Sequence, residues 1–485
     1  MFPYQQVIRI NRESKIPVYR QIAISVSDAI RNGTLKAGMH LPGSRELAKM
    51  LSMHRKTVTA AYQELDAQGW IRIVPRKQVA VSEDIPLFKP QKWSEPGIRA
   101  SYENDLDVPF RIMEEDLTDE NPVSYSDVII DDGHPDVRLS PIDDLLKTYR
   151  FLASRKYTIK SAHIGTTQGT LKLREELANY LSVTRALNIS VDNLLITHGA
   201  QMSIYLAAQL LLSASSIIIV GKPGYAAANA AFGQAGAKMM EVNVDEKGID
   251  TAAIERICKQ KKIDAVYVIP HHHYPTTATL AVERRVKLLE LSRQFSFVII
   301  EDDYDYEYHY TSAPYLPLAS GSHNGNVIYI GSFSKMLDPS LRMGFMVAPK
   351  NFIQQGAALR RIVDVGGDGY MQNALATLIK EGALKRHLKK AKKRYHQRRD
   401  FLDTLMKEEL NEYVSYTMPT GGMAIWIKLK AGFPIAGLAV NSQIKILRWD
   451  KEENAFRFGF ASMDEKELRQ VVETLKDGLQ KMKNR

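Results

Sequence analysis

The chain has 485 residues, too many for one hydrophobic core, and its length suggests about three structural units. With 45% hydrophobic and 25% charged residues it has the balance of an ordinary globular protein, which excludes a disordered or fibrous chain. A net charge of +10 favours an acidic partner such as nucleic acid, and the single cysteine, Cys258, excludes an internal disulfide framework.

The N-terminal segment MFPYQQVIRINRESK carries no long apolar core, so the expected compartment is the cytoplasm. Residues 14–83 then show short helical patterns. PVYRQIAISVSDAIRNGTL has apolar positions at helical spacing and closes at Gly33. Two further short helices follow, the first capped by Ser44, the second running from about His54 to Gly69. WIRIVPRKQVAVS alternates like a two-stranded ribbon turning at Pro75. Residues 1–84 hold 13 Lys or Arg against 7 Asp or Glu, and the basic residues cluster at helix starts. A recognition helix presents its N-terminal residues to base edges while flanking cations hold phosphates. That assigns DNA contacts to Ser44, Arg45, His54, Arg55, Lys56, Thr57 and Thr59, and wing contacts to Arg72, Arg76 and Lys77. The whole stretch from Pro17 to Trp70 resembles the winged helix-turn-helix of the GntR family of bacterial regulators. His54-Arg55 stands where that family usually has Ser-Arg, and VPRKQ replaces its Gly-rich wing tip.

Residues 85–125, rich in proline and then in acidic residues, read as a linker. Beyond it, apolar runs at 193–197, 216–220, 264–270, 295–302, 326–332 and 344–349 alternate with helical patterns, which predicts a doubly wound, mostly parallel sheet. The charge-free stretch 203–220 approaches a membrane span in length, but its serine cluster and IIIV ending predict a buried helix, a turn and a buried strand. Residues 350–399 are helical and basic, and 350–485 predict a smaller α+β subdomain.

Chemistry concentrates at the predicted strand ends. A lysine becomes a nucleophile where its charge is disfavoured, and its usual carbonyl partner is pyridoxal 5'-phosphate. That cofactor needs hydroxyls, N–H groups and an arginine for its phosphate, a carboxylate for its ring nitrogen and a flat neighbour. Lys335 in GSFSKMLDPSLRMGF has Ser332, Ser334 and Arg342 around it. The N–H groups of Ala200 and Gln201 in THGAQ, Asp302 and Tyr304 in EDDYD, and Tyr225 in GKPGY complete the set. Ligands bind at the carboxyl ends of strands in such sheets, where all these groups fall.

These motifs, with RHLKKAKKRYHQRRDFL, resemble a fold type I aminotransferase and the matching half of MocR-type regulators over residues 128–485. The resemblance implies Lys335 as Schiff-base residue, Asp302 against the pyridine nitrogen, Tyr304 at the phenolate oxygen, the phosphate on Ser332, Ser334 and Arg342, and Arg457 as grip for a ligand carboxylate. It also implies a homodimer with two DNA-binding units. IPHHHYPTTATL departs from the family's Asn-Pro-x-Gly, and its three adjacent histidines read as loop residues lining a pocket, with no metal-site spacing. The expected organisation is a DNA-binding domain (1–84), a linker (85–125) and an aminotransferase-like domain (126–485) that binds the cofactor and senses an amino compound. The alternative is a working aminotransferase that carries a DNA-binding domain.

Overall fold

The computed structural model describes residues 2–74, 78–85, 108–109, 128–156, 167–310, 315–441 and 444–483. The chain divides into two units, residues 1–112 and 113–485. The division falls within the stretch read as linker, most of which lies outside the described residues.

The first unit contains helices α1 (Tyr4–Val7), α2 (Val18–Arg31), α3 (Ser44–Met50) and α4 (Arg55–Ala67), with strands β1 (His40–Leu41), β2 (Ile71–Val74) and β3 (Gln78–Val81). Ile22, Val26 and Ile30 recur at four-residue spacing on one face of α2 and are buried with Leu47, Val58, Leu65, Ile71 and Val81. Each such burial is worth roughly 1.5–3 kcal/mol, which is what holds so small a unit together. Gly33 ends α2 with a φ of +76°, a conformation that favours glycine. The expected ribbon forms, with Ile71 opposite Val81 and Val74 opposite Gln78. β1 joins it through β3; two residues are too few to leave a periodic signal. The expected cap of α3 is corrected: Ser44 is the first helical residue, and Gly43 holds the extended cap conformation with no side chain to donate or accept.

The second unit opens with β4 (Val128–Ile130) and is built on an eight-stranded sheet of β5 (Leu194–Thr197), β6 (Ile217–Lys222), β7 (Lys238–Asp245), β8 (Gly248–Ile249), β9 (Ala265–Val268), β10 (Val298–Asp303), β11 (Val327–Ser332) and β12 (Gly344–Val347). The strand order is β5-β12-β11-β10-β9-β6-β7-β8. β12 is antiparallel to both neighbours and β8 to β7, and the remaining strands share one direction. The six apolar runs became β5, β6, β9, β10, β11 and β12. β7 leaves a weaker signal, because Lys238, Glu241, Asn243 and Asp245 interrupt it beside the sheet edge. The charge-free stretch 203–220 covers most of the helix Ala200–Leu211 and part of β6. Among the described residues no helix is long and apolar enough to cross a membrane.

A smaller antiparallel sheet follows, in the order β13 (Val414–Tyr416), β14 (Ala424–Leu429), β17 (Ala455–Gly459), β16 (Trp449–Asp450). β15 (Ile444–Ile446) pairs in parallel with β4, so residues 128–130 belong with this subdomain across more than 300 positions of sequence. The helix Ala383–Leu405 buries Leu384, Leu388, Ala391, Tyr395 and Leu402 at helical spacing. From that buried face the Tyr395 hydroxyl accepts from the Asp136 N–H at 2.8 Å, and Arg398 pairs with the Asp136 carboxylate at 2.9 Å. These bonds fix the loop after β4, which forms one wall of the site.

Candidate functional site

β5, β6, β9, β10 and β11 are parallel, so their carboxyl ends open on the same side of the sheet, and antiparallel β12 begins there. An open cavity of about 190 Å³ lies at this edge. Its lining includes Ala200, Gln201, Tyr225, Asp302, Tyr304, Ser332, Ser334, Lys335 and Arg342, every residue expected at the cofactor from sequence. Asp132, Ile269, Tyr274 and Pro339 line it as well.

Lys335 follows β11, and its ammonium donates to the Gly133 carbonyl at 2.8 Å. Burial pushes its pKa below the usual lysine range, although Asp132 and Asp131 pull the other way. Asp302, on β10, accepts a hydrogen bond from Tyr267 at 2.7 Å through Oδ2, while its buried Oδ1 has no partner. Burial, with Asp303 and Asp305 nearby, pushes Asp302 up to about 7 against the pull of the Tyr267 hydroxyl. A carboxylate held in this way lacks a cationic or N–H donor at Oδ1.

The other end of the cavity suits an anion. The helix Ala200–Leu211 starts behind Gly199 with no side-chain cap, leaving its first N–H groups and its positive dipole end to the site. Gly199 has a φ of +81°, and a Cβ there would stand 2.8 Å from Arg342 Nη2. A Cβ on Gly344 would stand 2.6 Å from the Gly199 carbonyl carbon. Both glycines keep the loop close beneath the Arg342 guanidinium, which donates to the His198 carbonyl at 3.3 Å. Ser332 Oγ accepts from the Ser334 N–H at 3.1 Å, and the buried Ser334 Oγ has no partner. Tyr225 meets Tyr274 edge-on, with centroids 5.2 Å apart.

Tyr304 and Arg457 are engaged with the protein itself. The Tyr304 hydroxyl donates to the His272 carbonyl at 2.9 Å. Arg457 donates to the Asp132 carbonyl at 2.6 Å, the Pro275 carbonyl at 2.9 Å and the Tyr304 hydroxyl at 3.0 Å. A ligand carboxylate has to compete with these acceptors for the guanidinium. The three histidines go separate ways: His271 to Asp303 at 3.2 Å, His272 to Asp305 at 2.8 Å and His273 to Thr276 at 3.0 Å. His273 lines a small pocket together with Gly221.

In the first unit Arg45, His54, Arg55, Lys56 and Arg72 are exposed, and Thr57 and Thr59 half-buried. His54 caps α4 by accepting from the Lys56 N–H at 3.2 Å, and Arg55 Nε reaches Ser44 Oγ at 3.4 Å across the turn. α4 thus presents a basic N-terminal end. Arg72 stands on the ribbon with Asp84 at 3.7 Å, and Arg76 and Lys77 lie outside the described residues.

Sequence reasoning missed Tyr267, Asp132 and Gly199. Tyr267 sits in the buried run AVYV, and a tyrosine inside a strand buried on both faces signals that its hydroxyl has a polar partner.

The Aminotransferase class I and II family matches residues 152–475, and the gntR family of bacterial regulatory proteins matches residues 18–81. The HTH-type transcriptional regulator YisV of Bacillus subtilis is 26% identical over 88% of this chain and 87% of its own length. The probable rhizopine catabolism regulatory protein MocR of Rhizobium meliloti is 26% identical over 86% of this chain and 82% of its own. The Thermus thermophilus α-aminoadipate aminotransferase LysN, solved with N-(5'-phosphopyridoxyl)-L-leucine, is 25% identical with a TM-score of 0.68, covering 74% of this chain and 94% of that one.

Proposed function

Since the chain belongs to the class I and II aminotransferase family and carries a gntR-family unit ahead of it, as MocR-type regulators do, we propose that it regulates transcription through a pyridoxal 5'-phosphate site that senses an amino compound. The observation that carries this reading is the cavity in which Lys335, the unpartnered Asp302 Oδ1 and the Arg342 cradle face one space. The donor set fits the cofactor. Asp302 Oδ1 would accept from the ring nitrogen. Ser332, Ser334, Arg342 and the N–H groups of Ala200 and Gln201 would hold the phosphate, with Tyr225 against the ring. When bound, the cofactor supplies an aldehyde that links to one amine and exchanges it for another. Lys335 is the resident amine, and its buried position keeps more of it in the nucleophilic form. An effector alters operator affinity only as far as it favours one state of the protein over another.

The test is borohydride reduction of protein incubated with pyridoxal 5'-phosphate, followed by peptide mass spectrometry. The expected result is a visible absorbance band fixed onto Lys335. A band fixed on another lysine, or no band, would sink the reading. Full conversion of the band by amino acids, reversed by 2-oxo acids, would instead identify a working transaminase.

On DNA, α4 is assigned to the major groove and the ribbon to the backbone, with two such units per homodimer. Arg55→Ala is expected to weaken binding to fragments selected from a random library by about tenfold and to relax their sequence preference. Arg72→Ala is expected to lower the salt slope by about one without changing preference. Fluorescence anisotropy across a salt series separates the two, and equal losses on selected and random DNA for Arg55→Ala would remove it from base readout.

A further inference from the structure

Four charged residues line the cavity, and the proposed cofactor would engage three of them: Lys335, Asp302 and Arg342. Asp132 remains. Its Oδ2 accepts from the Tyr274 hydroxyl at 3.0 Å. Its Oδ1 is buried, accepts no hydrogen bond and lies 3.2 Å from Nε2 of the half-exposed His134.

The carboxylate is held in place rather than left to swing. Asp131 Oδ1 accepts from the N–H groups of Gly133 and His134 at 2.7 and 2.9 Å, and Asp136 is bound to Tyr395 and Arg398. Burial opposes the charge on Asp132, but Lys335, Arg457, His134 and the Tyr274 hydroxyl together outweigh it and hold its pKa below the usual carboxylate range. Lys335 turns its amine to the Gly133 carbonyl, and Arg457 gives its donors to two carbonyls and Tyr304. Once the amine of Lys335 is committed to a cofactor, Asp132 is a fixed negative charge at the cavity wall with only the Tyr274 hydroxyl and the half-exposed His134 beside it. The Arg457 donors are given to other acceptors, and a cation on the ligand would neutralise the Asp132 charge.

Resting on the reading of the site given above, we infer that the pocket selects an amino compound with a second cationic group, a basic amino acid or a diamine, held by Asp132 with Tyr274 beside it. Arg457 and Arg448 stand 4.9 and 5.7 Å from the Tyr274 ring; an anionic ligand reaches Arg457 only by displacing bonds already made, and Arg448 donates to the Gly224 carbonyl at 3.4 Å.

The experiment loads the full chain with pyridoxal 5'-phosphate and follows its absorbance while adding L-ornithine, L-norleucine or L-glutamate, in the native protein and in Asp132→Asn and Asp132→Glu. Ornithine is expected to half-saturate at a concentration about tenfold or more below norleucine. That ratio is expected to collapse to about twofold in Asp132→Asn and to survive in Asp132→Glu, which keeps the charge. Tighter binding of norleucine or glutamate, an unchanged ratio in Asp132→Asn, or no response to any of the three overturns the inference and leaves the cofactor site standing. Protein that takes up no cofactor overturns the site reading itself, and shows this before any amine is added.

Discussion

Lys335→Ala protein is expected to show no borohydride-fixed cofactor and no effect of any amine on its DNA affinity. Lys335 is the lysine among the residues lining the cavity, and no second amine there can take its place. The loss should be specific rather than a collapse of the fold. The side chain makes one hydrogen bond, to Gly133, at the wall of an open cavity, so its removal should cost about 1 kcal/mol. It also relieves the desolvation of an ammonium that burial already disfavours. Thermal unfolding of the variant should therefore stay within a few degrees of the native protein, since the shift is about 2–4 °C per kcal/mol for units of about 150–250 residues and smaller for the larger unit 113–485. An effector that still changed DNA binding in this variant would show that sensing does not pass through Lys335.

Much of this architecture is legible in the sequence, and the parts that are not have physical reasons. β10 and β11 read clearly, because VIIEDD and VIYIGS are buried along their length and cannot afford interruption. The groups at their ends follow, since an acidic pair closing one strand and a lysine turn after another fall on one edge once the strands are parallel. What stayed hidden depends on distance in sequence. The pairing of β4 with β15 brings residue 128 beside residue 444, and through it the loop with Asp132 reaches the cavity. No local periodicity encodes that. Arg457 is another case: AFRFGF marks it, but its engagement with Asp132, Pro275 and Tyr304 depends on three separate segments. Tyr304 likewise carries the expected residue type in the expected place, while its hydroxyl donates to a histidine carbonyl that only the folded chain supplies.

Asp302→Asn is expected to weaken cofactor binding at neutral pH by about ten- to a hundredfold, since a hydrogen bond to a charged group is worth about 1.5–3 kcal/mol. The same substitution should change how the cofactor-free protein responds to pH, and the sign follows from its surroundings. Buried and beside Asp303 and Asp305, Asp302 titrates near about 7 in the folded chain against an ordinary value of 3.8. Between those values the folded protein binds more protons than the unfolded one, so this contribution is fully present below about 4 and is lost as pH rises through about 7. The loss approaches at most about 1.4 kcal/mol per pH unit for one group. Asparagine at 302 cannot ionise and removes that slope. Glu301 is also pushed up to about 7, by burial first and then by Asp303, so the variant should keep a reduced slope rather than a flat profile. Urea unfolding of native and variant protein from pH 4 to pH 8, without and with pyridoxal 5'-phosphate, measures both effects. The native protein should gain most from the cofactor near pH 7 and above, where Asp302 is ionised and its Oδ1 otherwise has no donor. Equal cofactor affinity in the two proteins would detach Asp302 from the ring nitrogen, and identical pH slopes would mean that its carboxyl is not held protonated by burial.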